Sequence, residues 1–122
     1  MRFRFVGLAA SVLALAVTVD AWADVLNISG VPSTVRKGKS FTVTIAGAPF
    51  TPPAPFSVFL ATKKCAATAT AEQASGAKQK INTTATKAVK RKLKIYATSV
   101  GRHYICGYLG DANVTSKYKV VR

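Results

Sequence analysis

Acidic residues are nearly missing from this chain: 4 Asp plus Glu stand against 18 Lys plus Arg in 122 residues. With Asp24, Glu72 and Asp111 far apart, a paired-carboxylate mechanism would depend on the fold to assemble it. Histidine occurs once, as His103. Without a nucleophile next to it in sequence, it reads as an ordinary strand histidine. Two cysteines, Cys65 and Cys106, are too few for a structural zinc site with so little histidine and carboxylate to join them. No glycine-rich loop of the phosphate-cradling kind is present. These absences speak against an enzyme and against a bound cofactor. The sole tryptophan, Trp22, falls in the amino-terminal stretch. After Val19 no further apolar run approaches the roughly 20 residues that span a bilayer.

The first 23 residues read as a secretory signal peptide. Arg2 and Arg4 open it, Phe5 to Val19 form an apolar run of 15 residues, and Ala21-Trp22-Ala23 places small residues where signal peptidase cuts. The expected mature chain, 24–122, is a single domain with no integral membrane anchor, secreted to the periplasm, cell envelope or extracellular space. In that oxidising setting Cys65 and Cys106 are expected to form one disulfide. Closing a loop of about 40 residues contributes about 4 kcal/mol in the chain-entropy model.

The mature segment alternates as strands do. Phe41, Val43 and Ile45 share one face while Thr42 and Thr44 share the other. Asp24 to Ser29 forms a first short strand, and Val31 to Val35 resumes on another sheet edge after Pro32. Pro49, Pro52, Pro53 and Pro55 make 48–55 a stiff connection to an apolar strand, 56–61. Ala66 to Gly76 fits either a loop or about two helical turns. Residues 81–86 form a weak edge strand, and in 89–97 Val89, Leu93 and Ile95 oppose Lys90, Lys92 and Lys94. Gly101 to Leu109 alternates Tyr104, Cys106 and Tyr108, taken as the inward set, with a second face. Val114, Tyr118 and Val120 share a face of the last strand. About seven short strands, with no sustained helical period, predict an all-β, antiparallel β-sandwich behind a cleavable signal peptide.

Tyr104-Ile105-Cys106 matches the Tyr-x-Cys signature of immunoglobulin-like domains. Val31-Pro32, Gly38 and Phe41-Thr42-Val43-Thr44, with Gly101 through Leu109, resemble small exported bacterial immunoglobulin-like domains. The resemblance implies an immunoglobulin-like β-sandwich and a tyrosine corner at Tyr104. The pattern departs from antibody-type domains at two points. Strand 41–45 has no cysteine, and the core tryptophan is absent from the mature chain. Cys65 instead follows the 56–61 strand, from which a bridge to Cys106 is feasible because the corresponding strands are neighbours in that fold.

The remaining constellation is basic. Lys90, Lys92 and Lys94 alternate along one strand about 7 Å apart, Lys87 and Arg91 lie nearby, and Tyr96 extends the face. Such a row suits an anionic polymer, and equally it suits an edge strand that must not pair with another chain. Two functions follow: an exported non-enzymatic immunoglobulin-like module with a binding or structural role, or a cationic binder of envelope polymers, acidic glycans or extracellular nucleic acid. The sequence does not name the partner; an anionic envelope polymer and another protein are the two candidates. No motif for sequence-specific nucleic-acid reading is present.

Overall fold

Strict alternation at 41–45 makes this segment the middle of a three-stranded sheet. In the computed structural model, which describes residues 24–122, Ser40–Ala48 forms β3. It is flanked by β1, Val25–Ser29, and β6, Val89–Tyr96, both antiparallel. The signal-peptide reading lies outside the described residues. The second sheet has five strands. These are β2 (Thr34–Arg36), β4 (Ala54–Ala61), β5 (Lys78–Ala85), β7 (Gly101–Leu109) and β8 (Ala112–Val121). Their order is β2-β8-β7-β4-β5, and only β2 runs parallel to its neighbour. The described residues therefore form an all-β sandwich of eight strands, against about seven expected from the sequence.

Val43 and Ile45 of β3, Ile95 of β6, Phe56 and Val58 of β4, Ile105 and Leu109 of β7, and Val120 of β8 fill the space between the sheets. Each contributes roughly 1.5–3 kcal/mol by leaving water. Phe41 meets Tyr118 edge-on from the opposite sheet, ring centroids 5.0 Å apart. Gly107 faces the same interior. A Cβ there would come within 3.1 Å of Val114 Cγ1 and 3.3 Å of Leu26 Cδ2, so its missing side chain leaves room for the β1 leucine.

The inward assignment of Tyr104, Cys106 and Tyr108 is corrected. Ile105 and Leu109 belong to the core between the sheets, whereas Cys106, Tyr108 and Tyr104 pack with Phe59 in a second cluster. Period-two alternation divides a strand into two faces without saying which one is inside. Here both faces are apolar, because the outer one is covered. The cover is the segment between β4 and β5, which holds a short helix, α1, at Ala69–Ala74. Six residues are too few for a helix to persist alone. Thr68 caps α1, its hydroxyl accepting the Ala71 N–H at 3.1 Å. The Cys65–Cys106 disulfide, with Cα atoms 5.6 Å apart, ties the segment to β7. The expected bridge is present; it fastens a cover to the outside of one sheet and does not link the two sheets.

Under that cover Glu72 is 2% exposed. Its carboxylate accepts the Ala66 N–H at 2.6 Å and faces the Tyr108 hydroxyl at 3.2 Å, while Tyr108 also donates to the Ala66 carbonyl at 2.6 Å. Of the β7 tyrosines, Tyr108 thus makes the hydroxyl tie to a connecting segment; Tyr104, expected at a corner, lies on the covered outer face. Burial, reinforced by the charge of Glu72 and its hydrogen bond, pushes the Tyr108 hydroxyl up to about 12. An unfolded tyrosine titrates near 10, so this contribution to stability is complete below about pH 10 and is lost as pH rises through 12. Tyr108→Phe should therefore be less stable than the parent at pH 8. The gap should narrow between pH 10 and 12 when both are followed by thermal unfolding. A gap constant across that range would show that this hydroxyl is not held protonated by the fold.

Candidate anion-binding groove

β5 and β6 follow one another in sequence but belong to opposite sheets, each at an edge. Between them the side of the sandwich is not closed by a further strand. The pairing Thr42↔Lys94, Thr44↔Lys92 and Ala46↔Lys90 puts these lysines on the outer face of the three-stranded sheet, as their alternation implies. All three are exposed. Arg91 pairs with the buried Ile45 and so belongs to the opposite side of the strand, where its place at the edge leaves it exposed. Lys87 sits on the connection between β5 and β6.

The sequence reading did not include Lys78 and Lys80 of β5. They face Lys94 and Tyr96 of β6 across a groove of about 310 Å³ that also takes in Thr98, Ser99, His103 and Tyr118. No acidic residue lines it. Lys94 Nζ stands 5.6 Å from the centroid of the Tyr96 ring, and Tyr96 is 63% exposed. The His103 ring stacks on Tyr118 with centroids 5.3 Å apart and planes 13° from parallel. His103 Nε2 lies 2.8 Å from the Ser99 carbonyl. A carbonyl can only accept, so this nitrogen carries the proton and donates it. Desolvation pushes the Tyr118 hydroxyl above its ordinary pKa.

The acids lie elsewhere. Asp24 and Asp111 meet near the β7–β8 turn, at the other end of the sandwich from the groove. The Asp24 carboxylate accepts the Phe50 N–H at 2.7 Å and the Asp111 N–H at 2.8 Å, which makes it a clamp on two loops. Gly110, at φ +55, approaches this carboxylate so closely that any Cβ would collide with it. Cys65 and Cys106 sulfurs and a Glu72 carboxylate oxygen lie within 4.8 Å of one another. Both sulfurs are committed to the disulfide and the carboxylate to Ala66, so in the oxidised protein this cluster is a structural tie.

No protein-family model matches the sequence, and no curated protein matches it. The fold does have structural counterparts. The CARDB domain of the PF1109 protein from Pyrococcus furiosus, crystallised with di-metal ions, superposes with a TM-score of 0.58 at 13% identity, over 80% of this chain and 87% of that one. The solution structure of the same domain gives 0.56 at 12% identity, over 80% and 94%. A beta-glucosidase from Listeria innocua, in complex with gluconolactone, matches at 0.54 and 12% identity; 81% of this chain is covered but only 16% of the enzyme. At these identities the likeness defines a small immunoglobulin-like β-sandwich module and nothing about its ligand. Among the described residues no helix is long and apolar enough to cross a membrane.

Proposed function

We propose that the chain is an exported, non-enzymatic immunoglobulin-like module that binds an anionic polymer of the cell envelope or extracellular space. The observation that carries this reading is the convergence of cations at the open side of the sandwich. Lys90, Lys92 and Lys94 line the outer face of β6, and at its end Lys94 borders, with Lys78 and Lys80 of β5, a groove that no acid lines. Cations so arranged act together on a charged chain, and release of its counterions makes binding steeply salt-dependent. Export is supported by the disulfide, which persists in oxidising compartments.

The second reading assigns the lysines to guarding an exposed strand edge, leaving the module a purely structural part. It is favoured by the position of β6 at the margin of its sheet. Retention on an immobilised single-stranded DNA or phosphocellulose column separates the two. Three lysine–phosphate contacts give a slope on the order of −2 to −3 in log affinity against log salt. The triple variant K90Q/K92Q/K94Q should lose a slope of that size and elute at much lower salt. If it elutes with the parent, the polymer-binding reading fails and the edge-guarding one stands.

A further inference from the structure

We propose that the groove between β5 and β6 is a site for a phosphate monoester carried on a sugar ring. The inference deepens the anion-binding reading and rests on it. Three lysines from the two sheets, Lys78, Lys80 and Lys94, border one concavity. A phosphate monoester carries about −1.5 to −2 charge at pH 7, whereas a carboxylate carries one. A groove lined by three lysines, with no acid and no arginine fork, therefore suits the compact, more highly charged group. Ser99 and Thr98 add hydroxyls at the same end. At that end His103 stacks on Tyr118 and donates to the Ser99 carbonyl, which fixes the orientation of its ring.

The ring is argued from size and from Tyr96. A groove of about 310 Å³ sits at the lower limit of small-molecule sites, enough for a monosaccharide and its phosphate. Tyr96, 63% exposed beside Lys94, offers an aromatic face on which the C–H face of a sugar can lie. The sugar phosphate can be free or can be the end group of an envelope polymer; the chemistry recognised is the same.

The test is an amide chemical-shift titration of the disulfide-bonded protein with glucose 6-phosphate, and with glucuronate as the carboxylate control. Glucose 6-phosphate should saturate shifts clustered at 78–80 and 98–103, and glucuronate should bind about tenfold or more weakly. K78Q/K80Q should weaken glucose 6-phosphate about tenfold or more. K117Q/K119Q removes the same charge from exposed positions of β8, on the far side of the second sheet, and should leave it unchanged. A phosphomannan column then distinguishes the sources. Elution of the parent by glucose 6-phosphate shows that polymer-borne groups enter the groove, and failure of the parent to be retained assigns the groove to the free sugar phosphate. Shifts scattered over all lysines without saturation, equal binding of glucuronate, or an equal loss in K117Q/K119Q would each overturn the proposal. Because Lys78 and Lys80 lie outside the β6 row, loss of the titration with polymer retention intact identifies the groove as the failed inference, and the reverse identifies the polymer reading.

Discussion

Removing the disulfide, by reduction or as C65A/C106A, should lower the unfolding free energy by about 4 kcal/mol, read from urea denaturation. The bridge joins residues 41 apart, and in the chain-entropy model a cross-link of that span removes about this much freedom from the unfolded chain. Folded-state losses follow in the same direction. Cys65 and Cys106 pack against Phe59 and Tyr108 under the α1 segment, and that segment is too short to hold its own structure. The cover should therefore open locally before the sandwich unfolds, exposing Phe59 and Tyr108. Faster hydrogen exchange at 66–76, with protection in β3 retained, would be its signature. A loss below about 1 kcal/mol would mean that the cover is held mainly by other contacts.

Glu72→Ala should cost about 3 kcal/mol, a large effect for a residue that the sequence singles out only as one of its few acids. The carboxylate is 2% exposed and accepts the Ala66 N–H. Deleting it leaves that part-buried donor without its acceptor and removes the acceptor facing the Tyr108 hydroxyl. Glu72→Gln keeps an acceptor oxygen in place and should cost only about 1 kcal/mol. Both Glu72 and the disulfide hold the same segment to the same strand. Combining E72A with C65A/C106A should thus fall short of the sum of the separate losses by about 1–2 kcal/mol, since a cover already released cannot be released again. Stability of E72A within about 0.5 kcal/mol of the parent would sink the assignment of a structural role to this carboxylate.

Much of the sandwich could be read from residue order, because alternation is a local property. Phe41, Val43 and Ile45 point inward as expected, and so do Tyr118 and Val120 of β8. Lys90, Lys92 and Lys94 share the expected outer face. What escaped the sequence depends on contacts far apart in the chain. The two faces of 101–109 were exchanged because its outer face is as apolar as its inner one, and only α1 and the disulfide explain why. At 66–76 the Thr68 cap on Ala71 is a local signal for helix, whereas the burial of Glu72 against Tyr108 of β7 is one that no short-range pattern carries. The groove was missed because Lys78 and Lys80 meet Lys94 only when consecutive strands are placed in different sheets. One available signal was the Lys-x-Lys spacing at 78–80, a smaller copy of the 90–94 row.

The open side of the sandwich has a consequence for how copies of this protein meet. The outer edges of β5 and β6 carry backbone amides and carbonyls that no neighbouring strand of the sheet takes up, and lysines along such edges would oppose the docking of another chain whether or not they also bind a polymer. That protection is electrostatic and so conditional. A polyanion that neutralises the fringe also gathers many copies along one thread, with bare edges brought close together. If the proposed polymer is bound, strand-to-strand joining would become available where it lies, and binding would carry its own route to assembly. Charge on one side of a small domain would in this way decide both what it holds and when two of them can join.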